Sequence, residues 1–388
     1  MKSFFLSLSL VVVFLFSTFS GNAFKELSPE VQISLLTCSP GSDLYSVFGH
    51  SAIRVKDPIN KIDSVYNYGT FDFNTENFYV KFSRGKLNYT LSRQPFSWFQ
   101  YTYIEEGRAI REQILDLTLE EKQRFYDVLE TNHLPQNRNY KYHFFFDNCA
   151  TKIRDKLKES LGEKLTYHHP VDTSRTFREM IQLYLNDMPW SDFGIDIALG
   201  LPCDDELQPG DAMFLPDGLY LEFKHATLDG KPLVSSDKEI LPAEPLPPNN
   251  SFFTPSVFIW MLFGVTLLLS LLCYLKKKRL LWLDRLWITV SGLIGLMVFL
   301  LWFATDHTTT ADNFNLLWAI PLNLIFVFFS GKSNRGLVRK YFQFQTILLL
   351  LVLALWSVIP QSYHIAFIPL ILIFALSSFR LGWVSRKY

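Results

Sequence analysis

Apolar positions fall into two regimes along this chain. Between about residues 24 and 240 they alternate with polar ones in short runs, whereas beyond about 255 they fuse into long apolar blocks. In the first regime, alternation or β-rich composition predicts strands at Ile33–Thr37, His50–Val55, Ser64–Tyr68, Lys86–Leu91 and Arg108–Asp116. Helical spacing of Ile153, Leu157 and Leu161 predicts a helix that opens at Cys149. The capping-box pattern Thr118-Leu119-Glu120-Glu121 opens another through about Glu130, and Ser174–Leu185 is a third amphipathic stretch. An antiparallel sheet with helices packed against it, an α+β layer architecture, is the simplest fold that uses these elements.

The second regime holds about five apolar segments of spanning or near-spanning length, near 255–275, 286–304, 314–330, 343–359 and 364–379. Alternate loops are basic: Lys276-Lys277-Lys278-Arg279, then Lys332 with Arg335, Arg339 and Lys340, then Arg380 with Arg386 and Lys387. Those ends are expected to face the cytoplasm, which places the loops 305–312 and 360–364 outside. Trp282, Trp287, Trp302 and Trp318 are expected at the membrane interface.

The N-terminus agrees with this orientation. Lys2 precedes an apolar run from Phe4 to Phe19 followed by Gly21-Asn22-Ala23, the layout of a secretory signal peptide. The expected organisation is a signal peptide at 1–23, an exported domain at 24–240, a proline-rich linker at 241–254 and a helical membrane domain at 255–388. Lys+Arg and Asp+Glu balance at 37 each, so bulk charge gives no argument for nucleic acid. Of the 4 cysteines, Cys273 falls in a membrane segment and three in the exported domain, an odd number that leaves one thiol free. Cys38 and Cys203 form the candidate disulfide, with Cys149 reduced.

The chemistry centres on His50, at the end of the polar loop Ser39-Pro40-Gly41-Ser42-Asp43 and the start of a strand, and on Cys149, preceded by Asp147-Asn148. A cysteine at a helix N-terminus is favoured as thiolate by the first-turn N–H groups and the macrodipole, and an imidazole nearby lowers its pKa or takes its proton. Asn148 is a candidate helix cap and oxyanion support. A third group is expected to orient the imidazole. Asn67 is the candidate, but alternation puts it opposite Tyr66 and Tyr68, so Tyr68 and Asp72 stay open as substitutes. In the membrane half, His307, Asp312, Asn313, Asn315 and Asn323 gather polarity at the outer ends of spans, and His307, Asn313 and Asn315 are the candidate substrate-binding residues. His168-His169, His133 and His143 lack ligand spacing, so no metal and no cofactor is expected.

A strand histidine that precedes a helix-start cysteine, FGHSAIRV before DNCAT, resembles the permuted papain-like group that includes lecithin:retinol acyltransferase and relatives of NlpC-type peptidases. The closer resemblance is to the Lnb-type lipoprotein N-acyltransferases of Bacteroidota. It is carried by CSPGSDLYSVFGHSAIRV from Cys38, VYNYGTFDF from Val65, NYKYHFFFDNCATKIRD from Asn139 and HTTTADNFNLLWAIPLNL from His307. It implies an inner-membrane enzyme with its thiol domain in the periplasm, His50 and Cys149 as catalytic pair, membrane phospholipid as acyl donor and a diacylated lipoprotein as acceptor. A membrane-tethered NlpC-like cell-wall peptidase, a phospholipase and a non-enzymatic envelope assembly or sensor module are the alternatives.

Overall fold

The computed structural model describes residues 24–244, 252–330 and 336–383. The expected signal peptide, residues 245–251 of the linker, and Lys332, Arg335, Arg386 and Lys387 lie outside the described residues. In the exported half, β1 (Gln32–Cys38), β2 (His50–Asp57), β3 (Ile62–Thr70), β4 (Asn88–Pro95), β5 (Ile110–Leu115), β6 (Asn139–Lys141) and β10 (Val234–Leu241) form one antiparallel sheet in the order β10-β5-β1-β2-β3-β4-β6. All five expected strands are present within a few residues. β10, a polar edge strand that pairs with β5, leaves no trace in the sequence pattern, because Ser235 to Glu239 carry no apolar alternation. A small second sheet joins β7 (Leu165–Thr166), β8 (Thr227–Leu228) and β9 (Lys231–Pro232).

The helices of this half are α1 (Phe78–Ser83), α2 (Phe96–Glu105), α3 (Leu119–His133), α4 (Cys149–Leu161), α5 (Phe177–Leu185), α6 (Pro189–Ala198) and α7 (Pro216–His225). Strand parity decides which side chains meet which layer. Ile53, Val55, Tyr66 and Tyr68 point to one face and pack with Phe125, Ile153, Leu157 and Phe223 of α3, α4 and α7. Leu36, Cys38, Ala52 and Val65 point to the other and pack with Phe99 and Tyr103 of α2. The sheet is thus sandwiched, and the observed layers are α+β. Helix starts follow the expected chemistry: Thr118 and Thr176 each close a capping box, with Glu121 and Glu179.

The membrane half contains α8 (Pro255–Leu275), α9 (Leu281–Phe303), α10 (Asn323–Phe329), α11 (Gly336–Ala354) and α12 (Phe367–Trp383). Among the described residues three of these, α8, α9 and α11, are long and apolar enough to cross a membrane, and α12 is a shorter apolar helix. The segment expected to span at 314–330 is broken instead into a 3-10 turn, Phe314–Leu317, and the seven-residue α10. Pro321 cannot donate the hydrogen bond that a continuous helix would need there. The broken stretch lies directly on α9, where a Cβ at Gly295 would stand 2.2 Å from the Ala319 carbonyl oxygen. Trp318 is correspondingly no interface marker. It is fully buried, lies 5.1 Å from the Phe367 ring and donates from its indole N–H to Asn315.

Candidate active site

Cys149 is the first residue of α4, and Asn148 is its cap. The Asn148 Oδ1 accepts from the N–H groups of Ala150 (2.8 Å) and Thr151 (3.0 Å), while Thr151 Oγ1 accepts from Asn148 N. The Asn148 amide donates to the carbonyls of Phe144 (2.6 Å) and Phe214 (2.7 Å). Every polar atom of this side chain is therefore committed to holding the turn. The cap expected of it is present; the oxyanion support is a poor fit, because its N–H groups are already spent.

His50 is the first residue of β2, and its Nε2 lies 2.6 Å from Asn67 Oδ1 on β3. That leaves Nδ1 as the ring nitrogen that pairs with the Cys149 sulfur, to which the imidazole is hydrogen-bonded. The parity conflict raised by the sequence resolves in favour of Asn67. Tyr66 and Tyr68 turn into the core beneath α4, so Asn67 shares the opposite face with His50. The open substitutes are engaged elsewhere: Tyr68 donates to Asn132, and Asp72 accepts from Asn74 N in a surface turn. Gly69, with φ of +89°, adopts a left-handed backbone just past Asn67, and a Cβ there would lie 3.8 Å from Cys149 Cβ.

The electrostatics of the pair follow from these contacts. Burial by itself raises the Cys149 thiol pKa, but the facing His50 charge, its hydrogen bond and the N–H groups of Ser51 and Ala150 outweigh it, and the thiol is held below its ordinary value. For His50, burial pulls the imidazolium down, while the Cys149 charge and the bonds to Cys149 and Asn67 lift it above its ordinary value, with Arg108 opposing. Each shift is the other's counterpart, as a thiolate–imidazolium pair requires. Cys38, directly across from His50 in the β1–β2 register, behaves oppositely: burial pushes its thiol up to about 12. Cys38 and Cys203 are both free and buried, so the candidate disulfide is absent. Cys203 instead donates to the Thr309 carbonyl.

The pair opens into a cavity of about 560 Å³. One wall is aromatic, built from Phe71, Phe73, Phe78, Phe82, Tyr89 and Tyr142; Phe48, Phe214 and Pro216 line the side of His50. Asp306, His307, Thr308 and Thr309, from the loop after α9, close it on the bundle side. Tyr142 stacks on Tyr89 at 4.4 Å, and burial, then the Cys149 charge, keep its phenol protonated. This wall is not legible in the sequence, since aromatic residues scattered through 71–89 and at 142 form no period.

Of the three candidate substrate residues, the structure brings only His307 to the cavity, where its Nε2 meets the Phe82 carbonyl at 3.1 Å. Asn313 and Asn315 are buried in the joint between the halves. Asn313 Nδ2 donates to Ile197 O and Ala198 O, and Asn315 Nδ2 to Asp196 O and Ile197 O, all at 3.0–3.1 Å. Gln361 adds a bond to Leu199 O, and Gly200 N one to Thr309 O. Amides consumed by backbone carbonyls hold no substrate; these residues fasten the end of α6 to the bundle.

Sheet domain, bundle and shared cavity together define an integral membrane protein with a Cys–His–Asn cluster at the domain boundary. Two family models match, in the same order as the two halves: the Lnb N-terminal periplasmic domain over residues 27–180 and the Lnb transmembrane domain over residues 247–388. The chain belongs to the Lnb-type lipoprotein N-acyltransferase family. That membership assigns it to lipoprotein maturation and to the inner membrane, with its N-terminal domain in the periplasm. Among curated proteins and among solved structures nothing matches.

Proposed function

We propose that the protein moves an acyl chain from a membrane phospholipid, through a thioester on Cys149, to the α-amino group of a diacylglyceryl-cysteine lipoprotein. The observation that carries this reading is the Cys149–His50–Asn67 cluster opening into an aromatic cavity whose far wall belongs to the membrane bundle. A histidine strand ahead of a cysteine helix also agrees with a permuted papain-like arrangement of the exported domain.

In the first half-reaction the Cys149 thiolate attacks the ester carbonyl carbon, and the carbonyl oxygen takes the negative charge. The Cys149 N–H, in the first turn of α4 where N–H groups have no intrahelical acceptor, is one donor suited to that oxygen, and the protonated Tyr142 phenol is a second. As the intermediate collapses, the C–O bond breaks and the His50 imidazolium gives its proton to the departing lysophospholipid alkoxide. In the second half, the lipoprotein amine attacks the thioester, neutral His50 removes its proton, and the thiolate leaves. Asn67 holds the imidazole in register for both transfers. The C-terminus of the bundle is assigned to the cytoplasm, from the basic turn Lys276–Arg279 at the opposite end of α8 and α9 from the cavity.

Intact-mass analysis of the full chain in vesicles of labelled phospholipid tests the reading. The expected result is one acyl adduct at Cys149, discharged as an amide by a diacylated lipopeptide. Label released only as free fatty acid would make the enzyme a hydrolase, and absence of any adduct would remove the thioester.

The electrostatics add a pH profile. Acylation needs thiolate and imidazolium together, so its rate should rise as pH climbs through the depressed thiol pKa, below 9.0, and fall as pH passes the raised imidazolium pKa, above 6.5. A rate that keeps rising past pH 9.0 in pre-steady-state acylation would exclude the preformed pair.

A further inference from the structure

Helix α1 is poorly explained as part of a water-facing domain. It has six residues, Asn77 at its start makes no side-chain cap, and of its side chains only Phe78 is buried. A helix this short does not hold itself together in water. Its exposed side chains are apolar all the same: Tyr79 is 78% exposed, Val80 57% and Phe82 50%, and Phe73 in the preceding turn is 69% exposed, with Val80 turned away from the cavity and the other three at its rim. Isolated exposed apolar residues are ordinary, but a contiguous set marks a surface that something covers.

The position of α1 indicates what covers it. Arg84, which follows the helix, accepts at its carbonyl from Asp306 N, and the Phe82 carbonyl meets His307 Nε2, so α1 is fastened to the loop that leaves the outer end of α9. The last turn of α9 carries Trp302 and the 60%-exposed Phe303, stacked at 4.6 Å, an aromatic end of the kind that sits at headgroup depth. Lys81, Arg84 and Lys86 place positive charge beside the apolar side chains, the combination of an element that lies in a lipid–water interface. The inner side of the same helix is the aromatic cavity wall. Phe73 and Phe78 lie 4.9 Å apart, Phe78 stacks toward Phe82, and all three face the space that holds Cys149.

We propose that α1 and the turn before it are seated in the outer leaflet of the bilayer and form the portal through which the acyl chain of a phospholipid passes to Cys149. This rests on the reading of Cys149 as the acyl-accepting thiol. One aromatic cluster then touches lipid on its outer side and the acyl chain on its inner side, so the chain moves from bilayer to thiol without crossing water.

Val80 is suited to the test, since it points outward and does not line the cavity. In the full chain reconstituted in phospholipid vesicles, Val80→Asp should lower acyl transfer from bilayer phospholipid about tenfold, the loss expected when an apolar side chain no longer enters an apolar phase. Val80→Leu should retain transfer. Acylation of Cys149 by p-nitrophenyl butyrate, a water-soluble ester that needs no portal, should stay within about twofold in both variants. A nitroxide on Val80→Cys, in a Cys149→Ser, Cys273→Ser background, should be reached by oxygen in preference to a water-soluble nickel complex. Wild-type transfer from bilayers by Val80→Asp, or a nitroxide open to the nickel complex, overturns the portal. Failure of p-nitrophenyl butyrate to acylate the wild-type protein at Cys149 overturns the thiol reading beneath it.

Discussion

Cys149→Ser and His50→Ala will each lower acyl transfer by on the order of 10⁴-fold or more, and the double variant will be little worse than either alone. The non-additivity follows from the geometry. The sulfur is a thiolate because the imidazolium faces it, and the imidazole is charged because the thiolate faces it, so removing one partner disables the other. Neither residue fills the core of the domain, and both variants should insert and fold. Asn67→Ala should cost less, roughly 10- to 100-fold, the worth of one hydrogen bond to a charged ring. Mass spectrometry of the adduct and a lipopeptide transfer assay read all three. Substantial transfer by Cys149→Ala would end the mechanism; full activity of Asn67→Ala would remove only the orienting role.

The second large effect is expected far from the thiol. Arg178, 1% exposed, reaches Asp196 with Nη1 (2.7 Å) and grips Asp204 with Nε and Nη2 (both 2.9 Å), and Nη2 also donates to Gly200 O. Asp204 in turn accepts from Ser362 N of the bundle. Arg178→Ala leaves two buried carboxylates without their counter-ion, a loss of about 3–5 kcal/mol for a broken buried pair. Because Asp196 to Gly200 is the segment that the bundle grips, the variant should also lose transfer from bilayer lipid while short-ester acylation of Cys149 survives. Thermal unfolding together with the two assays separates these effects. A transition temperature equal to wild type would show that the arginine is not the fastening of the joint.

What the chain disclosed before its structure was known depended on whether a residue's partner leaves a trace in sequence. Asn148-Cys149 ahead of Ile153 and Leu157 announces a capped helix, because cap and period are both local, and His50 at the head of an alternating strand is equally local. Asn67 was half legible. Alternation separates it from Tyr66 and Tyr68, but only the packing of α3 and α4 shows which of the two faces is the core. Asn313 and Asn315 were misread for a physical reason: an asparagine at the end of an apolar segment looks the same whether its amide meets a ligand or the carbonyls of α6, and carbonyls have no sequence. The interruption at Pro321 was present in the chain, yet the apolar residues around it masked the break.

Carbonyl recognition at the joint has a consequence for how such a protein can change. Asn313, Asn315 and Gln361 read the backbone of residues 196 to 199, and any side chains that preserve the course of that turn present the same oxygens. Those carbonyl contacts couple the halves by shape, whereas the His364–Asp192 contact and the packing of Phe193 on Phe367 couple them by composition as well. The turn itself can therefore accumulate substitutions that keep its course, while an exchange of either half for the corresponding half of a relative has to carry these side-chain pairs with it. The boundary is part standard fitting and part matched key, and only the first part leaves the two halves free to diversify on their own schedules.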